Sequence, residues 1–140
     1  MPRRMSCSMT VDPVRDRSKR VTRRHPDTWR DLKPGDRVTL IEKGMGLPKG
    51  SRQVVLAEVE IVDVRVESIA AVLDEPDACA REGLPQMAPV DFIVMWMRSH
   101  GYARLVTVGL LRRGGRFIGL APHCRRIEWR YLDDEDDDHG

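Results

Sequence analysis

No apolar run in this 140-residue chain approaches the roughly 20 residues of a membrane-spanning helix, and the longest, residues 92–97, lies inside an amphipathic pattern. The first ten residues, MPRRMSCSMT, carry charge but no continuous apolar stretch, so a secretory signal is not expected. The three cysteines, Cys7, Cys79 and Cys124, are odd in number, widely spaced and without a C-x-x-C pair. Neither a disulfide framework nor a cysteine zinc site is indicated, and a reducing cytoplasm is the expected compartment. His25, His100, His123 and His139 have no ligand spacing, so no metal is expected. Nor is a cofactor. The glycine-rich stretch GMGLPKGSR lacks the G-x-x-x-x-G-K-[ST] spacing of a phosphate loop, and no helix pattern follows it. Internal repeats are absent, and low complexity is confined to the end of the chain.

What the chain does have is unevenly placed charge. The formal net charge is +2, yet residues 133–138, DDEDDD, hold six negative charges, so the rest stands near +8. This reads as a basic body with an acidic, disordered tail over 133–140. The tail either serves solubility or competes with nucleic acid for the basic face. Residues 1–4 are expected to be a disordered N-terminus, leaving one domain over 5–132.

The basic density peaks at SKRVTRR, residues 18–24, where Lys19, Arg20, Arg23 and Arg24 crowd together. Like charges this close repel, so something must repay the cost. Two answers compete: a patch for a polyanion, or a site for chemistry on a small anionic or nucleotide-like substrate. With Arg126 and Arg130 of the last strand, Arg20, Arg23 and Arg24 form the candidate nucleic-acid-binding set.

Local patterns supply the elements. A short strand is expected over 5–9. DPVRDRS reads as a short helix, with Asp12 as its N-cap and Pro13 in the first position. Residues 21–24 look extended, HPDTWRDL reads as a helical turn, KPGD as a turn, and RVTLIEK alternates as a strand does. Over residues 53–67 the apolar phase flips: Val55, Ala57, Val59 and Ile61 give way to Val62, Val64 and Val66. One extra residue at Ile61–Val62, a β-bulge, would keep both halves facing the core. Asp74 is placed to cap a helix over EPDACARE, with Gly83 just past its end. Pro89 opens a second helix and Gly101 closes it, with Phe92, Ile93, Trp96 and Met97 on one face, read as core and not as a cofactor box. RLVTVGLL–RRGG–RFIGLA reads as a hairpin. In RRIEWRYL, Ile127, Trp129 and Tyr131 share one face. The fold class is α+β: five or six short, mostly antiparallel strands, mostly joined by hairpins and curled into a small barrel, with two to four short helices.

In their order, SKRVTRR, WRDLKPGD, the valine-rich strand, AREGLPQMAPVDFIVMW and RRIEWRYL resemble the ASCH domain family, over roughly residues 5–132. The resemblance implies a PUA-like β-barrel, with a cleft beside the first basic strand and RNA or nucleotide ligands. Some members of that family look like amidohydrolases acting on acetylated cytidine, and others resemble ribonucleases. In the amidohydrolases a lysine, a threonine three residues later and a glutamate of the helical insert carry the reaction. By motif these correspond to Lys19, Thr22 and Glu82. Residues 103–122 depart from the family in looking longer than the usual connection, and are placed to cover or reshape the cleft.

The chemistry sets conditions of its own. A threonine hydroxyl needs a neighbouring base, and a lysine serves only if burial or nearby cations lower its pKa. Residues three apart on a regular strand face opposite sides, so Lys19 and Thr22 converge only if the chain kinks or Lys19 precedes the strand. Trp29 and Trp129 read as core or rim aromatics ahead of base-stacking platforms. The expected function is RNA or nucleotide binding. The alternative is hydrolysis of N-acylated cytidine nucleosides or of RNA. A third reading, a protein-interaction module, requires the apolar face of residues 92–97 to be exposed.

Overall fold

The computed structural model describes residues 2–43, 48–105, 111–113, 116–118 and 121–133. Its elements are β1 (Arg3–Ser6), α1 (Val11–Arg15), β2 (Val21–Arg24), β3 (Arg37–Ile41), β4 (Val55–Ser68), a 3-10 turn (Ile69–Leu73), α2 (Ala78–Arg81), α3 (Pro89–Ser99), β5 (Leu111–Arg113), β6 (Arg116–Ile118) and β7 (His123–Tyr131). The class is α+β. Five strands make one mixed sheet, in the order β1-β3-β4-β7-β2, curled into a half-barrel, while β5 and β6 pair separately.

The β1–β3 pairing is parallel, and the β3–β4, β4–β7 and β2–β7 pairings are antiparallel. The expectation that hairpins join most neighbouring strands is therefore corrected: in the five-stranded sheet only β3 and β4 are neighbours in both sequence and space. Between β4 and β7 run the 3-10 turn, two helices and the β5–β6 pair. The first strand also lies earlier than expected. Arg3 and Arg4 pair with Val38 and Thr39, and the strand ends at Ser6. Residues 106–110, 114–115, 119–120 and 134–140 lie outside the described residues, and with them most of the acidic tail and much of the expected 103–122 cover. Asp133, the first tail residue, bonds Arg17.

The bulge falls where the phase flip put it. Ile61 pairs with Trp129 and Asp63 with Glu128, leaving Val62 without a partner on β7. Before it, Ala57, Val59 and Ile61 point into the core, while Val55 at the start of the strand is exposed and not on the core face as expected; after it, Val64 packs against that core opposite Ile127. Val62 and Val66 are exposed, contrary to expectation. The first is the bulged residue itself, and the second lies opposite Arg125, beyond the apolar cluster.

Two apolar clusters result. The half-barrel interior holds Met5, Cys7, Leu40, Val59, Ile61, Ile127, Trp129 and Tyr131. The second cluster sits between the helices and the sheet, where Phe92, Ile93, Trp96 and Met97 of α3 meet Ile69, Val72, Ala78, Cys79 and Cys124. The α3 stripe is thus core. That removes the exposed apolar face on which the protein-interaction reading depended.

Three local expectations shift. Thr10, not Asp12, precedes α1. Asp74 closes the 3-10 turn, and α2 begins only at Ala78, so Asp74 is too early to cap it. HPDTWRDL forms turns and not a helix, with Trp29 at φ +57° under the Arg3 guanidinium. At α3, Pro89 takes the first turn as expected, and Gly101 follows in a left-handed conformation (φ +87°).

Gly83 ties the helical side to the half-barrel. Its φ is +88°, and a Cβ there would lie 2.7 Å from Pro13 Cβ and 3.2 Å from Lys19 Cβ. The proline ring cannot swing away. Gly83→Ala combines backbone strain with overpacking and should cost about 1–3 kcal/mol. Urea unfolding checks this: the midpoint should fall at unchanged slope. An unchanged midpoint would show that the contact is not tight.

Candidate functional site

Lys19 sits in the link between α1 and β2, and the strand begins only at Val21. The alternation of a strand therefore does not govern Lys19 and Thr22, which is the arrangement their convergence required. The link is held at both ends of the residue. Lys19 N–H donates to the Pro13 carbonyl at 3.0 Å, and the Lys19 carbonyl accepts from Trp129 Nε1 at 3.2 Å and from the Tyr131 hydroxyl. Next to it, Arg20 N–H donates to the Arg81 carbonyl at 2.8 Å, fastening the link to the end of α2. Glu82 follows directly and is placed beside Lys19.

The two side chains meet inside the protein: Lys19 is 4% exposed and Glu82 3%. Lys19 Nζ donates to the Glu82 carbonyl at 2.7 Å and lies 3.8 Å from Glu82 Oε1. Burial pushes the Lys19 pKa down from its ordinary 10.5; the Glu82 carboxylate opposes the shift, and Arg24 and Arg23 add to it. A buried amine of this kind can hold a proton or take one. Thr22 is also buried, and its Oγ1 accepts from Arg24 Nε at 3.2 Å. That leaves the hydroxyl proton free to go elsewhere, and it puts a cation beside the oxygen.

The expected phosphate-binding arginines take different roles. Arg23 and Arg126 are buried, and they stand opposite each other across β2 and β7, with Arg65 next in the row on β4. Three cross-strand cations repel, so the surroundings are acidic. Arg23 lies 3.0 Å from Glu75, 3.5 Å from Glu67 and 3.5 Å from Glu82; Arg126 lies 2.7 Å from Glu75, 2.9 Å from Glu128 and 3.6 Å from Asp63. Arg23 and Arg126, expected as phosphate contacts, thus stand in internal ion pairs with these carboxylates, while Arg23 Nε and Arg126 Nη1 have no hydrogen-bond partner among the described residues. Burial alone would lower the Arg126 pKa, but its hydrogen bonds to Glu128 and Glu75 outweigh that and raise it. Among the other three, Arg24 donates to the Ser6 carbonyl at 2.7 Å, Arg130 donates to Glu60 at 2.8 Å, and exposed Arg20 lies over the Tyr131 ring at 6.0 Å.

The half-barrel is unclosed between its edge strands, β1 and β2. A cavity of about 320 Å³ opens at this seam, with Lys19, Thr22, Arg23, Arg24 and Glu82 in its lining. The size is at the low end of the roughly 300–1,000 Å³ of small-molecule sites. One wall is the end of β1 and the residues that follow it, Ser6 to Thr10, and the other is Leu84 with Phe92, Met95, Trp96, Ser99 and His100. The sequence reading missed both walls. The small polar run Ser6-Cys7-Ser8 was its nearest signal for the first; for the second there was none, because the α3 stripe looks like ordinary core. Trp129 is core and Trp29 packs at its edge, and neither lines the cavity. Cys7 does, but burial raises its pKa, and Cys124 is pushed up to about 12 by burial, so both are poor thiolates. Among the described residues, no group of three His, Cys, Asp or Glu could hold a metal ion, and no helix is long and apolar enough to cross a membrane.

No protein-family model matches this chain, and neither a curated protein nor a solved structure matches it significantly.

The ion pairs make stability pH-dependent. Burial alone would raise the Glu75 pKa, but Arg23 and Arg126 outweigh it and hold the carboxyl below the ordinary 4.5. A depressed folded pKa gives stability that is present above the unfolded value and lost as pH falls through the folded one. The wild type should therefore lose stability as pH falls below the ordinary carboxylate range, and Glu75→Gln should start lower at neutral pH and fall less steeply. Parallel urea curves across this range test it. Identical slopes for the two proteins would assign the acid sensitivity elsewhere.

Proposed function

We propose that this chain hydrolyses the amide of an N-acylated cytidine-type nucleoside, with Lys19, Thr22 and Glu82 as its working groups. The observation that carries the reading is their common position in one small, largely buried cavity. An open basic groove would have favoured RNA binding, but Arg23 and Arg126 spend their charge on internal carboxylates. The resemblance to the ASCH domain family, with its PUA-like barrel, supports the same choice. The half-barrel with a site at its seam is compatible with it.

In this reading Thr22 Oγ1 attacks the acyl carbonyl carbon, and unprotonated Lys19 takes the hydroxyl proton. Arg24, already bonded to Oγ1, holds that oxygen in position for the attack. The C–N bond breaks as the nucleobase nitrogen gains a proton from Lys19, with Glu82 holding the amine. Water then attacks the acyl–threonine ester, its proton passing to Lys19 and from there to Thr22 Oγ1 as the ester C–O bond breaks, which releases the carboxylic acid and restores the threonine hydroxyl and the neutral amine. Apolar Phe92, Leu84 and Trp96 form the wall against which the base lies.

Incubating the pure protein with N-acetylcytidine and measuring acetate tests this. Thr22→Ala and Lys19→Met should each reduce the rate by about 10²–10⁴. Their effects should not add, because the two act as one unit. The rate should also fall with decreasing pH as Lys19 gains its proton. Folded wild type that releases no acid from any acylated nucleoside would end the hydrolase reading and return RNA or nucleotide binding to first place.

A further inference from the structure

His100 ends α3 at the rim of the cavity, and its hydrogen bonds fix which ring nitrogen can meet a ligand. Nδ1 lies 2.7 Å from the Trp96 carbonyl and 3.0 Å from Ser99 Oγ. A carbonyl only accepts, so Nδ1 carries the hydrogen and Nε2 is left as a bare acceptor. No described residue donates to Nε2. The ring cannot turn freely, because it stacks on Trp96 with centroids 4.2 Å apart and planes within 17°. Trp96 is itself anchored by donating from Nε1 to the Arg23 carbonyl at 2.9 Å. A fixed acceptor on a cavity wall selects for a donor on the ligand.

The cavity has a direction. Lys19, Thr22 and Glu82 form a buried floor, whereas Ser8, Met9 and Ser99 are exposed and His100 is half-buried. On an N-acylated cytidine the acylated amine and the sugar-bearing nitrogen stand at opposite ends of the ring. With the acyl carbonyl at Thr22, the sugar reaches the rim.

We infer that His100 Nε2 accepts a hydrogen bond from a ribose 2′- or 3′-hydroxyl, making it the residue that selects a ribonucleoside over a free base or a dideoxynucleoside. This rests on the function proposed above and adds the sugar to it. Burial, with His25 and Arg24 adding to it, pushes the His100 pKa down against the Trp96 carbonyl hydrogen bond. The ring therefore stays neutral, and its acceptor stays available, near neutral pH.

The test is equilibrium binding by calorimetry, which needs no turnover. Cytidine should bind wild type about 3- to 10-fold tighter than 2′,3′-dideoxycytidine, the range of one neutral hydrogen bond. His100→Phe keeps a ring against Trp96 but offers no acceptor, and it should bind the two equally. His100→Gln restores an acceptor and should recover part of the preference. With acylated substrates the same preference should lie in KM and not in kcat, since the contact is made equally in ground and transition states. Equal wild-type affinities, no binding of either nucleoside, or a preference that survives His100→Phe would each overturn the assignment. Continued acetate release from N-acetylcytidine in those cases would leave the hydrolase reading standing.

Discussion

Glu82 answers two buried cations at once, Lys19 and Arg23, and the rest of the site depends on that sharing. A charge removed from water is costly unless it is paired and hydrogen-bonded. Arg23 can remain in the interior because Glu75 and Glu67 share its charge too. Lys19 has less: a carbonyl at 2.7 Å and a carboxylate at 3.8 Å. This imbalance leaves Lys19 as the cation whose charged state is least secure. A proton-transfer group requires that property, and a merely structural lysine would not.

The fold supplies the setting by keeping two apolar clusters apart with a charged layer between them. The half-barrel interior lies on one face of the sheet and the α3 cluster on the other, and the row of Arg23, Arg126 and Arg65 runs across the face toward the helices. The seam between β1 and β2 is where the sheet fails to close, and Arg24 spans it by bonding the Ser6 carbonyl. A cavity at such a seam is lined from both edges and from the overlying helix. Small-molecule chemistry suits that geometry better than tracking a polymer does.

Much of the scaffold was legible because its signals are local. The bulge at Val62 follows from a phase flip in a single strand, and the α3 and β7 core faces follow from periods of 3.6 and 2. Lys19, Thr22 and Glu82 were named through a motif resemblance, and the structure lines one cavity with all three. The fate of the arginines was not legible. Arg23 looks like a surface cation until its register opposite Arg126 is known, and that register joins residues a hundred positions apart. The carboxylates that enclose the pair come from β4, β7, the end of α2 and the turn before it, which no local pattern brings together. The parallel β1 was hidden for the same reason: pairing direction is set by the path of the whole chain. His100 offered no signal, since its role depends on stacking against a tryptophan that reads as core.

The most direct measurement is the titration of Lys19 itself, followed by the side-chain NMR signals of its Cε and Nζ and assigned by their loss in Lys19→Met. A midpoint below the ordinary 10.5 is expected in the wild type. A lower one still is expected in Glu82→Gln, where the carboxylate that supports the charged form is gone. A wild-type midpoint at or above 10.5 would contradict the account, because Lys19 would then be a secure ion-pair cation with no capacity to accept a proton at neutral pH.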